Sequence, residues 1–157
     1  MGPTNNLTYL LHHLAQVIDK QTDQILKEQL GIGLSQYKIL MVLEWNPRIQ
    51  QNVISKSLGQ TEASISRQIK LLINKGMLIS KIDPNNKRRH MSIVTPLGMQ
   101  VNETASNLIK TNFSKDFVGL GEIQTSKLLE ELQNLHKLVC KPGRAGSCSH
   151  DLSIDTL

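Results

Sequence analysis

The stretch TEASISRQIKLLINK, Thr61–Lys75, decides the fold. Ile65, Ile69 and Leu72 recur at the spacing of a helix laid on a core. Half a turn away stand Ala63, Arg67 and Lys70, with Ser64 to one side. Small and basic side chains on an outward face, with no long acidic one among them, suit a helix lying in a nucleic-acid groove. Thr61 is the expected N-cap and Gly76 the expected C-terminal stop.

Working outward, the charge is concentrated around this helix. The chain carries a formal +5, and from Arg48 to Thr95 nine Lys/Arg face two acids, Glu62 and Asp83. The remainder is mildly acidic, so a basic middle sits in an acidic frame, the electrostatic footprint of a polyanion-binding module. Just upstream, Gln50–Leu58 reads as a short helix with Val53, Ile54 and Leu58 inward, and Gly59 as a turn. Short helix, glycine turn and second helix with a basic face make a helix-turn-helix. Just downstream the period changes. Met77–Ile82 reads as a strand, Asp83–Asn86 as a turn and His90–Val94 as the returning strand, with Lys87, Arg88 and Arg89 at or beside the tip. A hairpin with a basic tip after a helix-turn-helix is a winged helix.

Three strings make the likeness specific: GLSQYKILMVL (Gly33–Leu43), SKSLGQTEASISRQIKLLINKGMLIS (Ser55–Ser80) and DPNNKRRHMSIVTPLG (Asp83–Gly98). Over roughly residues 5–140 the sequence resembles the MarR family of bacterial transcription regulators. The spacing from Asp83 through Arg88 to Thr95-x-x-Gly98 matches the family's wing and the opening of its next helix. Asn86 departs from the pattern, where the family often has a second aspartate. The resemblance implies a mainly α fold with a small β-hairpin wing, and a homodimer interlocked through its first and last two helices. It also implies a ligand-responsive repressor of double-stranded DNA.

The outer helices have the matching character. Leu7–Leu30 carries Leu7, Leu11, Leu14, Ile18 and Ile25 on one stripe, and Gly31–Gly33 ends it. The next helix opens at Leu34-Ser35, with Ser35 as expected N-cap and Tyr37, Leu40, Met41, Leu43 and Glu44 turned inward. Leu97–Val118 and Glu122–Val139 are further helices, the latter with Leu128, Leu132, Leu135 and Val139. These stripes are broader than a small winged helix can cover by itself. Residues 1–141 are therefore read as one winged helix-turn-helix domain, with its DNA-binding part near 34–95 and dimerisation helices near 5–30 and 97–140. Residues 142–157, rich in Gly and Ser, read as a flexible tail.

The base-edge candidates are Arg67 and Ser64. Lys70 and Ser66 reach backbone or bases, and Gln51 a phosphate beside its helix start. Lys87, Arg88 and Arg89 are placed at the minor groove or its flanking phosphates. His136 and Cys140 stand at i, i+4, and His12, His13, Cys148 and His150 are the nearest complements for a metal. No two strong ligand motifs converge, and no metal site is assigned. A Cys140–Cys148 disulfide switch is the other use for the two thiols, and nothing in the sequence lowers either pKa. No catalytic constellation or glycine-rich phosphate loop occurs, so the chain reads as a non-enzyme without cofactor. With no apolar run near the ~20 residues of a membrane span and no secretory signal, it reads as cytoplasmic, with no membrane partner. A small-molecule effector is expected, its identity unnamed by only five aromatics. The competing function is a winged-helix protein–protein module without sequence-specific DNA binding.

Overall fold

Helix α1, Leu7–Leu30, starts where the Asn6 side chain accepts the Tyr9 N–H at 3.0 Å. It stops at Gly31, whose φ of +64° is the left-handed conformation that glycine adopts without penalty. The computed structural model describes residues 5–141, apart from the side chains of residues 87–89. The expectation for the tail, Cys148 and His150 included, lies outside the described residues.

Helix α2, Leu34–Trp45, begins one residue before the expected cap. Gly33 stands at the N-cap, and Ser35 is already inside the helix. The free N–H groups of the first turn are taken by other side chains. Gly33 N–H donates to Gln36 Oε1 at 3.3 Å, and Leu34 N–H donates to Asp23 Oδ1, on α1, at 2.9 Å. A cap supplied from α1 displaces the local one, and the Ser35 hydroxyl is used elsewhere.

Asp23 is therefore a joint between α1 and α2. The Lys27 ammonium, 2.6 Å away, and the Leu34 N–H hold its carboxyl below its ordinary pKa, against the upward push of partial burial. A depressed carboxylate contributes stability that is present above the unfolded-state pKa of about 3.9. That contribution is lost as pH falls through the folded-state value. Asp23→Asn is expected to lower the thermal midpoint at pH 7, by an amount that shrinks steadily below about pH 4. Melting curves of both proteins over this range check it, and a gap independent of pH overturns it.

Ile39, Leu40 and Leu43 of α2 form the centre of the core with Ile54, Ile65, Leu72 and Leu78, all fully or almost fully buried. Helix α2 packs on α1, on α3 (Gln51–Leu58), on α4 (Glu62–Asn74), on β2 (Asn86–Val94) and on α5 (Pro96–Val118). Three inward assignments need correction. Met41 and Glu44 are exposed, while Gln36, Ile39 and Val42 are buried with Leu40 and Leu43. The run ILMVL has no polar side to phase the helix, so its neighbours set the rotation. In α3 Ile54 is buried and Val53 is 37% exposed. Ser55 takes the inward place instead, its hydroxyl donating to the Asn52 carbonyl at 2.9 Å.

Strand β1, Leu78–Asp83, pairs antiparallel with β2 from Leu78↔Val94 to Ile82↔His90. The next pair is Asp83↔Asn86, so backbone 87–89 is surplus to the ladder and bulges from the tip. The returning strand thus starts at Asn86, earlier than the expected His90, and the turn narrows to Pro84-Asn85. Asp83 explains the narrowing. It is buried, and its Oδ1 accepts the Asn85 N–H at 2.9 Å, closing the turn with its own side chain.

Thr95 joins wing to helix. Its Oγ1 caps α5 by accepting the Gly98 N–H at 3.1 Å, and donates to the Gly76 carbonyl at 2.7 Å. Helix α5 buries Gly98, Asn102 and Ala105, and Asn102 Nδ2 donates to Glu44 on α2. Past Ala105 no residue of α5 is buried, and α6, Glu122–Val139, buries none. Ile123, Leu129, Leu132 and Leu138 are exposed there, as are Phe117 and Val118 of α5 and Leu7 and Leu14 of α1. Among the described residues no helix is long and apolar enough to cross a membrane.

Candidate nucleic-acid interface

Helix α4 is anchored as its sequence predicts. Thr61 Oγ1 accepts the Ser64 N–H at 3.1 Å, and Ile65, Ile69 and Leu72 are buried. Burying that stripe turns Ala63, Arg67, Lys70, Leu71 and Asn74 outward. Among the described residues neither Arg67 nor Lys70 enters an ion pair. Two uncompensated cations therefore project from one face of a packed helix.

The flanks differ from each other. Ser66 is half-buried, on the side of the helix nearer the partly buried Ile73. Ser64, on the other flank, donates its hydroxyl to Gln60 Oε1 at 3.3 Å, and its lone pairs stay open as acceptors. Gln51 is exposed at the start of α3. The side chains of Lys87, Arg88 and Arg89 lie outside the described residues; their backbone forms the bulged tip of β2.

Several side chains that hold α4 in place carry no local sequence signal. Gln60 Oε1 accepts from Ser35 of α2 at 3.0 Å as well as from Ser64, tying α2 to the first turn of α4. Gln36 Nε2 donates to Gln68 Oε1 on α4 at 3.0 Å. Lys75 donates to the Gly31 carbonyl, at the C-terminus of α1, and to Gln36 Oε1 at 3.3 Å. Lys75 counts with the basic middle in the sequence, yet its ammonium is spent on this network and on the negative end of α1. These hydrogen bonds tie α4 to α1 and α2 in the rotation that its buried stripe sets.

An open groove of about 370 Å³ runs between α1, the start of α2 and the α3–α4 turn. Asp19 and Lys38 face each other across it at 3.3 Å, and Ser35 and Gln60 line it toward α4. Cys140 is half-buried at the end of α6, and the His13 ring stacks on Tyr9 with centroids 5.9 Å apart. Among the described residues no three His, Cys, Asp or Glu side chains gather as a metal site.

Known proteins share both the sequence and this architecture. Residues 30–89, from the end of α1 to the wing tip, match the sequence profile of the MarR family. A transcriptional regulatory protein for the hcr operon of Thauera aromatica is 22% identical over 107 residues. That alignment spans 68% of this chain and 64% of the relative. The fold is that of wild-type MarR from E. coli in its apo form, with a TM-score of 0.72 at 23% identity. The match covers 85% of this chain and 97% of that one. It is also that of CouR from Rhodococcus jostii RHA1 bound to p-coumaroyl-CoA, with a TM-score of 0.70 at 15% identity. There the match covers 86% and 94% of the two chains. The profile of the MarR family is thus met across residues 30–89, and the fold of MarR from E. coli is met from α1 to α6.

Proposed function

We propose that this chain is a sequence-specific DNA-binding regulator, a cytoplasmic homodimer that represses from an inverted-repeat operator and releases it when a small molecule binds. The observation that carries the reading is the outward face of α4, where Arg67 and Lys70 enter no ion pair among the described residues and Ile65, Ile69 and Leu72 are buried behind them. Arginine forks onto guanine O6 and N7 in the major groove, and lysine adds phosphate or base contacts. The bulged basic tip of the wing is suited to the minor groove and its phosphates.

The dimer follows from area. An 18-residue helix with no buried residue is unstable by itself, because propensity alone seldom supports so short a helix. A second copy laid across α6, the end of α5 and the start of α1 removes that apolar surface from water. Two copies of α4 must then stand about one DNA turn apart, ~34 Å, to enter successive major grooves. A ligand wedged between the dimer helices and the winged part changes that spacing only if it prefers one arrangement over the other. The groove between α1 and the α3–α4 turn supports this, since an occupant there meets Ser35 and Gln60, the side chains tied to Ser64. CouR, solved with p-coumaroyl-CoA, is a relative for which a ligand is on record.

Selection from random duplex DNA by the purified protein tests the reading. An enriched inverted repeat with half-sites about one turn apart is expected, with light scattering giving twice the 17.6 kDa chain mass. A persistent monomer, or a pool without enrichment, overturns it. The latter outcome favours the winged helix as a protein–protein module.

A further inference from the structure

We infer that Leu71 is a base-reading residue, its side chain packing on the 5-methyl group of a thymine in the major groove. The inference rests on the DNA-binding reading and adds a specificity determinant to it. Helix α4 meets its core obligation through Ile65, Ile69 and Leu72, all within 4% of complete burial, whereas Leu71 is 41% exposed. Exposed leucines are ordinary when scattered, but this one stands four residues from Arg67 and next to Lys70. It thus borders the two cations, unpaired among the described residues, that would bring a polyanion onto this face. Helix α4 packs on α2, α3 and β1, and the broad apolar surfaces of α1, α5 and α6 lie on other elements. Leu71 is therefore outside the surface a second copy would cover.

In the major groove thymine alone presents a methyl group, and an aliphatic side chain is its natural complement. Distance narrows the choice. Four residues of helix advance about 6 Å, less than two base-pair steps of ~3.4 Å. The thymine is therefore placed within about two base pairs of the guanine contacted by Arg67.

The test uses the selected operator, with each thymine of the half-site replaced in turn by deoxyuridine, which removes only the methyl. The full-length protein is expected to lose about fourfold in affinity per half-site at one such position, the effect of one buried methyl. Leu71→Ala is expected to bind the thymine and uracil duplexes equally at that position, while keeping the guanine preference set by Arg67. If Leu71→Ala retains the thymine-to-uracil ratio, or no thymine matters to the parent protein, the inference falls. A fall in the melting temperature of Leu71→Ala also overturns it, since that would make the leucine a packing residue. A random pool without any enrichment overturns the DNA reading itself, a result distinct from enrichment with no methyl effect.

Discussion

Arg67→Ala is expected to weaken binding to the selected operator by ~1–3 kcal/mol per half-site, and to erase base preference at one position in each half. The side chain is exposed and enters no ion pair among the described residues, so its removal leaves the core behind α4 untouched. Melting temperature should therefore change little, and the loss is read as lost contact with DNA. Arg88→Ala in the wing is the natural contrast. Backbone and minor-groove contacts carry little base identity, so affinity should fall over most sequences, with a shallower dependence on salt. Isotherms on operator and scrambled duplexes over a salt series separate the two. An unchanged ranking of operator variants for Arg67→Ala means that α4 is not the reading helix.

Gly98→Ala is expected to cost about 3 kcal/mol of folding stability, the upper part of the range for overpacking. A Cβ on Gly98 would overlap the Met77 carbonyl oxygen and stand 2.7 Å from Val94 Cγ1, both closer than van der Waals contact. Met77 cannot retreat cheaply. Its carbonyl accepts the Thr95 N–H at 3.0 Å, and its own N–H donates to Leu72 at 2.9 Å, at the end of α4. Accommodating one methyl therefore separates α5 from the joint between α4 and the hairpin. Urea unfolding of the two proteins measures the difference, and a change below about 0.5 kcal/mol would show that the joint is soft. The cost should also appear in DNA affinity, because the joint sets the angle between α4 and the hairpin.

These two residues mark what is readable locally and what is not. Arg67 is legible because the repeat Ile65, Ile69, Leu72 phases its helix without help. Three buried apolar positions on one stripe leave only one face for the cation. The bounds of α1 and α6 are legible for a similar reason, each being a long periodic run closed by glycine or an open-chain break. Gly98 is visible in the sequence only as the end of Thr-x-x-Gly. Its purpose, the close approach of α5 to Met77, exists only once the chain has returned from the wing.

The same division holds inside α2 and β2. The apolar run of α2 admits several rotations, and contact with five other elements picks the one that buries Ile39 and Val42 and exposes Met41. Its N-terminus is capped by Asp23, eleven residues earlier, so Ser35 is released to hold Gln60. Lys75 counts as one more positive charge in the basic stretch, but it faces the carbonyl end of α1 across a separation of 44 residues. Asp83 draws its strand partner forward to Asn86 by closing the turn with its own carboxylate. The sequence by itself determined the order of elements, the buried stripe of α4 and the basic character around it. These depend on periodicity and on neighbours within one or two turns. The tertiary structure decided which cations of the basic stretch are drawn into the fold and which side chains cap the helices. Those depend on partners that only folding brings within hydrogen-bonding reach.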